Sequence, residues 1–199
     1  MEIITDVLQG SIEWHKLREK RLTASHGQAI AANGAGLNTY VNSLMQKYYS
    51  TSEQEDYKSK AMARGNELED SAIFAYEAES GLDVERIGFV IHNEFSGCSP
   101  DGFAEIDGLI EVKCLEDKAY FQFLLDGKID TKYLWQMQMQ MLICKKAWCA
   151  YTVYNPNFKA SLVVKVVDAD NAKFDKLLEG MAKGRERIIA IQKQFEGVL

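Results

Sequence analysis

The feature that most constrains this chain is a carboxylate-bearing turn followed by a strand in which charged and apolar residues alternate. Residues Ser99–Gly102 form the predicted turn, and Leu109–Cys114 form the predicted strand. Successive side chains on a strand point to opposite faces, so the apolar residues at every second position share one face. Glu111 and Lys113 are therefore predicted to project together from the other face, outward from the core.

The residues between this turn and this strand predict that Asp101 lies beside Glu111. Phe103–Glu105 reads as a further strand, and Asp107-Gly108 predicts a type I′ turn, which needs positive φ at both central residues. Two carboxylates about one cation diameter apart suit Mg²⁺ or Mn²⁺. The ammonium of Lys113 can hold an attacking water and stabilise charge on a phosphate. A solvated strand edge with alternating charge is the other interpretation of this short pattern.

A third carboxylate comes from the predicted helix Met62–Ser80. Glu69 shares a face of this helix with the apolar residues Ile73 and Tyr76. The side chain is therefore predicted to face inward, where a carboxylate needs a cation or hydrogen-bond donors. A buried ion pair with an arginine is the alternative.

The predicted helix Asp130–Cys144 offers a polar candidate. Gln136 carries an amide that can donate and accept a hydrogen bond at once, so it can orient a water molecule near a metal ion. The methionines that alternate with the glutamines in Trp135–Met141 are predicted to be core residues rather than part of a cofactor site.

A local group of cations stands out in an acidic chain. Lysine and arginine total 23 against 29 acidic residues, and the net charge of −6 excludes a generically basic nucleic-acid coat. Lys16, Arg18, Lys20 and Arg21 nevertheless lie close together and form a candidate phosphate site. Ser25 is predicted to cap a helix that follows, whose free N–H groups favour an anion. An ordinary exposed helix face is the alternative.

The order of the remaining elements predicts an α/β or α+β chain with one central mixed sheet. Helices come first, then a small group of strands that includes Val84–His92, two helices, two strands and a long closing helix, Ala169–Phe195. The polar segment Ser50–Lys60 is predicted to be a surface connection. We expect a single domain over residues 1–199.

Cysteine usage and hydropathy predict a reducing compartment. The four cysteines contain no CxxC pair, and no signal-like segment or apolar run of membrane-spanning length is visible. A cytoplasmic protein with no membrane partner is the expectation.

The motifs of this chain resemble those of the lambda-exonuclease (YqaJ-type) alkaline nucleases of phages, within the PD-(D/E)xK nuclease superfamily. The resemblance extends from Trp14 to Pro156, and the following motifs carry it, in order: Trp14–Arg18 with Thr23–Ser25, Gly65 with Glu69, Cys98–Gly102, Glu111–Cys114 and Gln136–Gln138. It implies a restriction-endonuclease-like α/β core, with a central mixed β-sheet flanked by helices.

The resemblance also implies roles for individual residues. The implied metal site consists of Asp101, Glu111, the Val112 carbonyl and, through water, Glu69. Lys113 and Gln136 would position and activate the hydrolytic water. The implied pocket for the 5′-phosphate of a DNA end consists of Arg18, Ser25 and Ser99.

The activity implied by the resemblance is a processive, Mg²⁺-dependent 5′→3′ exonuclease, with Mn²⁺ as a substitute. Such enzymes digest one strand of double-stranded DNA and leave 3′ overhangs for recombination with a single-strand annealing protein. They form homotrimeric rings, and a ring would reconcile an acidic chain with DNA binding, because only the inner wall must be positive. The alternatives are another PD-(D/E)xK DNA endonuclease and a non-catalytic module that binds DNA ends in recombination.

Overall fold

Seven helices and nine strands are present in the part of the chain that the computed structural model describes, residues 1–51 and 60–197. The strands are β1 Glu2–Ile4, β2 Leu22–Thr23, β3 Val84–Glu85, β4 Phe89–Asn93, β5 Ser96–Cys98, β6 Gly102–Ala104, β7 Gly108–Lys113, β8 Trp148–Tyr154 and β9 Leu162–Asp168. The helices are α1 Ile12–Arg18, α2 Gly27–Ala32, α3 Ala35–Tyr49, α4 Lys60–Ser80, α5 Asp117–Asp126, α6 Thr131–Cys144 and α7 Asn171–Glu196. Most of the predicted surface connection, Ser50–Lys60, lies outside the described residues.

Two sheets carry the strands. The five-stranded sheet has the order β3-β6-β7-β8-β9, with β7 and β8 parallel and the other pairs antiparallel. The four-stranded sheet has the order β1-β4-β5-β2. The predicted α/β class, with a central mixed sheet flanked by helices, is confirmed by the five-stranded sheet, and the four-stranded sheet is an addition that the sequence did not predict. The second sheet consists largely of strands two or three residues long, which are too short for alternation to show in the sequence.

The segment Val84–His92, predicted as one strand, forms two strands that belong to different sheets. Its first part is β3, which pairs with β6, and its second part is β4, which pairs with β1 and β5. Gly88 lies at the crossing, where a Cβ would come within 2.3 Å of the carbonyl oxygen of Val7. Close backbone packing therefore leaves no room for a side chain where the chain passes from one sheet to the other.

The hairpin between β6 and β7 forms, but its turn differs from the predicted one. Ala104 pairs with Gly108, so the connection has three residues, and Glu105 carries the positive φ of 56°. The predicted type I′ turn centred on Asp107-Gly108 is therefore wrong. Gly108 is required for space instead, because a Cβ there would lie 2.3 Å from both the carbonyl oxygen of Ala104 and the Trp148 ring.

Both faces of β7 are covered by other elements. Ile110 and Val112 pack into a cluster with Ile73 and Tyr76 of α4. Leu109, on the opposite face, belongs to the large core cluster that contains the methionines of α6. The prediction that Glu111 and Lys113 face outward is therefore wrong, since helix α6 covers the face that they share with Leu109.

The long helix α7 packs closely on α2. A Cβ on Gly180 would lie 1.9 Å from the carbonyl oxygen of Ile30, so only glycine permits this approach. Within the described residues, no helix combines the length and apolar character that a membrane span requires.

Gly180→Ala is expected to destabilise the protein by about 1–3 kcal/mol, because the added methyl group forces α7 away from α2. Gly36→Ala is the matched control: it lies on an exposed face of α3, and its Cβ would meet Ala29 Cβ at an ordinary 3.7 Å. That change should stabilise by up to about 1 kcal/mol. Urea unfolding followed by circular dichroism measures both, and a Gly180→Ala midpoint at or above that of the wild type would contradict the packing argument.

Candidate active site

Glu111 is the most deeply buried carboxylate of the site, with 1% of its surface exposed. Its Oε1 accepts hydrogen bonds from the Lys113 ammonium and from Gln136 Nε2, the latter at 2.6 Å. Its Oε2 accepts a hydrogen bond from Gln140 Nε2 at 2.7 Å. One ammonium and two amides therefore compensate for the removal of this charge from water.

Asp101 lies beside this carboxylate because the turn that carries it is fixed to β7. Its Oδ2 accepts a hydrogen bond from the backbone N–H of Val112 at 2.6 Å. Asp101 directly precedes β6, and β6 pairs with β7, so the predicted hairpin brings the turn and the strand together. The structure thus places Asp101, Glu111, Val112, Lys113 and Gln136 at one end of β7.

The charges in this cluster shift one another's ionisation. Burial raises the pKa of Asp101 well above its usual value, and the negative charges of Glu111 and Glu69 raise it further. Burial alone would lower the pKa of Lys113, but Glu111 and Asp101 outweigh it and raise the pKa. Lys113 therefore stays an ammonium at neutral pH and can act there as a positive charge and donor rather than as a base.

Glu69 approaches the site from α4 but pairs with an arginine. Arg86, in the connection between β3 and β4, donates to Glu69 at 2.6 Å and also lies 3.3 Å from Asp70. The Glu69 side chain is 25% exposed, and burial raises its pKa, although Arg86 opposes this shift. The arginine pair, which the sequence left as the alternative to a metal-binding role, is therefore the contact that the structure shows for Glu69.

The donor set fits a divalent cation only in part. No three His, Cys, Asp or Glu side chains of the described ranges are grouped closely enough to hold a metal ion. The set implied by the sequence has a different make-up, because it combines the side chains of Asp101 and Glu111 with a backbone carbonyl. These two carboxylates are hard oxygen donors, and after burial the negative charge of Glu111 is the largest contribution to the raised pKa of Asp101.

The predicted phosphate residues Arg18 and Ser25 lie together in the structure. Arg18 donates to Ser25 Oγ at 3.3 Å and to Thr23 Oγ1 at 3.2 Å. Ser25 itself lies within a 3₁₀ turn, Ala24–His26, so the prediction that it caps a helix is wrong. Thr23, two residues before Ser25, occupies the N-cap position directly before that turn.

Ser99 joins this group through Trp14. The Trp14 indole N–H donates to Ser99 Oγ at 2.8 Å, and the Arg18 guanidinium lies 4.2 Å from the centre of the Trp14 ring. One indole therefore connects α1 to the turn that carries Asp101. The arrangement presents a cation and hydroxyl groups, which is a chemistry that suits a phosphate.

Two neighbouring residues that the sequence did not single out complete the pocket. The Tyr40 hydroxyl accepts a hydrogen bond from the Thr23 N–H at 3.0 Å, and its ring stacks on His26 at 3.7 Å. Arg18, His26 and Tyr40 line an open cavity of about 610 Å³. Burial and the charge of Arg18 lower the pKa of His26 to about 4.

Gln140 is the residue of the carboxylate cluster that sequence reasoning missed. It lies one helical turn after Gln136, on the same face of α6, and both amides reach Glu111. The i,i+4 spacing was the available signal. Gln138, between them, faces elsewhere and binds Asp168 and Asp170.

Comparison with known proteins assigns the chain to a family. A family model described as a YqaJ-like viral recombinase domain matches residues 13–147, more than half of the chain. The chain belongs to the YqaJ-like viral recombinase family. All the predicted site residues lie within the matched range. Comparison with curated proteins found no match.

Solved structures with the same fold include proteins that are described as exonucleases. An alkaline exonuclease, LHK-Exo, from Laribacter hongkongensis is 25% identical, with a TM-score of 0.81 over 95% of this chain and 100% of that one. The same protein in complex with dAMP gives a TM-score of 0.83 at 25% identity and the same coverage. A phage-related exonuclease from Haemophilus somnus 129PT is 16% identical, covers 90% of this chain and 98% of its own, and shares the fold with a TM-score of 0.65. The predicted resemblance to phage alkaline nucleases is confirmed.

His26 provides a test of the pocket that needs no activity. Its imidazole should titrate near pH 4, and Arg18→Ala should move the pKa upward because a neighbouring positive charge is lost. Two-dimensional NMR of the histidine ring through a pH titration measures this value. Lys20→Ala is the control, since that ammonium lies over the Tyr48 ring instead. If the pKa of His26 is the same in Arg18→Ala as in the wild type, the described geometry is contradicted.

Proposed function

We propose that this chain is a divalent-metal-dependent exonuclease that digests one strand of double-stranded DNA from its 5′ end and leaves a 3′ overhang. The observation that carries the proposal is the buried carboxylate pair Asp101 and Glu111 beside a Lys113 that remains charged. The membership of the YqaJ-like recombinase family and the likeness to alkaline exonucleases support it.

The residues that would hold the metal ion are Asp101, Glu111 and the carbonyl of Val112, with Glu69 acting through water. Mg²⁺ is the cation that such a set of oxygen donors suits best, and Mn²⁺ would substitute. When bound, the ion supplies Lewis-acid stabilisation of a phosphate oxygen and lowers the pKa of water. Glu69 would have to share its carboxylate between this role and Arg86.

Lys113 and Gln136 supply the remaining chemistry in this proposal. The Lys113 ammonium, held in place by Glu111, would stabilise negative charge that develops on the scissile phosphate. Gln136 uses its N–H₂ group on Glu111, and we assign its carbonyl oxygen to the attacking water. Both groups are anchored to one buried carboxylate, so their positions are fixed before the substrate arrives.

Arg18, Ser25 and Ser99 would bind the 5′-phosphate of the DNA end. The pocket concentrates positive charge locally, as a chain with a net charge of −6 requires for DNA binding. In the full proposal the protein is a single nuclease domain over residues 1–199 that assembles as a homotrimeric ring, acts processively and works with a single-strand annealing protein. Its place of action is the cytoplasm of a bacterium or a phage-infected cell.

The activity is tested on a linear duplex with free 5′-phosphates, in which one strand carries a fluorescent label either on a base near its 5′ end or at its 3′ end. With Mg²⁺, we expect mononucleotides to appear from the 5′ side first, while the 3′ label stays on long products. A chelator should abolish the release, because the buried carboxylates then have no cation to hold. Lys113→Met should reduce hydrolysis strongly and leave DNA binding in place, since it removes a contact made in the transition state.

The controls separate the alternatives. Closed circular DNA should stay intact, and its nicking would favour an endonuclease. Binding of DNA ends without any Mg²⁺-dependent release would favour a non-catalytic recombination module. Thermal unfolding of Lys113→Met must be recorded alongside, because the substitution leaves the buried Glu111 without its ammonium partner.

Arg18→Ala is expected to lower the rate on 5′-phosphorylated ends by about 10- to 100-fold, because a charge-assisted hydrogen bond to the phosphate is lost. The rate on 5′-hydroxyl ends should change much less. Initial rates on the two duplexes give the ratio, with Lys20→Ala as the matched cation control. An equal loss on both kinds of end would argue against a phosphate pocket.

A further inference from the structure

We propose that Gln140 is a positioning residue that fixes the two candidate metal-binding carboxylates relative to each other. The inference rests on the function proposed above. It assigns to this side chain the alignment of Glu111 with the turn that carries Asp101.

The first contact is with Glu111. Gln140 is fully buried, and its Nε2 donates to Glu111 Oε2 at 2.7 Å, while Lys113 and Gln136 both bind Oε1. Gln140 is therefore the donor that fixes the second oxygen of this carboxylate. Without it, the carboxylate plane can rotate about the bonds that hold Oε1.

The second contact is with the turn that leads to Asp101. The same Nε2 lies 3.5 Å from the carbonyl oxygen of Ser99, a long contact that uses the other amide hydrogen. Ser99 is separated from Asp101 by a single residue, Pro100, whose ring limits the backbone. The Gln140 amide nitrogen thus contacts both the Glu111 carboxylate on β7 and the turn that carries Asp101.

The carbonyl oxygen of Gln140 shows which contact the amide favours. Oε1 is buried and has no hydrogen-bond partner in the part of the chain that the structure describes. Rotating the amide would give Oε1 another environment, but it would set that oxygen against a Glu111 oxygen. The side chain therefore keeps an unsatisfied acceptor so that Nε2 can face Glu111, as expected of a residue that orients this carboxylate.

Gln138 is a matched control on the same helix. It is also a buried glutamine, with 2% of its surface exposed, but both ends of its amide are satisfied. Its Nε2 donates to the Asp168 carbonyl at 2.8 Å, and its Oε1 accepts from the Asp170 N–H at 2.9 Å. These bonds tie α6 to the start of α7, away from the carboxylates.

The test compares Gln140→Leu with Gln138→Leu in the full chain. For Gln140→Leu, we expect kcat for mononucleotide release to fall about 10- to 100-fold while KM for DNA stays within about twofold, the loss typical of a residue that orients a ligand. For Gln138→Leu, we expect a drop in Tm, because two hydrogen bonds between α6 and the start of α7 are lost, and a kcat near that of the wild type. The rise in Tm caused by MnCl₂, read without DNA, should shrink in Gln140→Leu and persist in Gln138→Leu.

Two outcomes would overturn the inference. One is a Gln140→Leu protein with wild-type kcat and an unchanged MnCl₂ shift; the other is an equal loss of kcat in Gln138→Leu, which would indicate a general effect on α6. Gln140→Met, which conserves volume better, carries the same expectations if the leucine variant does not fold. The wild-type protein is assayed in parallel, and its failure to release nucleotides would overturn the proposed function instead.

Discussion

The burial of one carboxylate, Glu111, is the constraint on which the rest of the site depends. A buried negative charge is tolerated only where charges and donors replace its lost water, and here an ammonium and two amides do so. Lys113 must therefore lie on the same face of β7 as Glu111, and both glutamines must lie on the one face of α6 that contacts it. Removing any one of these donors changes the environment of the others, so the four side chains act as a unit.

The fold is arranged so that this unit can exist. Strand β7 lies in the interior of the five-stranded sheet, with α4 against one face and α6 against the other. The hairpin returns the Asp101 turn to the end of β7, and α1 is tied to that turn through Trp14. Segments distant in sequence thus converge on one end of a single strand, which is how open α/β sheets commonly build their sites.

The sequence predicted elements with a clear period well and those without one poorly. Helix α6 and strand β7 match their predicted bounds to within one residue, since each has a full run of patterned residues. The short strands and the crossing at Gly88 carry no such run, because backbone packing rather than side-chain alternation determines them. Within the site, spacing indicated that Glu111 and Lys113 share a face but not that α6 covers it. The i,i+4 spacing placed Gln140 on the helix face of Gln136, but the contact of that face with Glu111, like the stacking of Tyr40 on His26, joins distant segments and is not visible in a single sequence.

The coverage of β7 on both faces has a consequence for how the length of the chain can vary. Gain or loss of one residue within this strand would exchange its two faces. The Glu111 carboxylate would then point into the apolar cluster beneath α4, and an aliphatic side chain would face the amides of α6. The three-residue loop that precedes it is different, because Ile106 at its tip is 85% exposed. Natural insertions and deletions in related chains should therefore accumulate in that loop and stop where the strand begins.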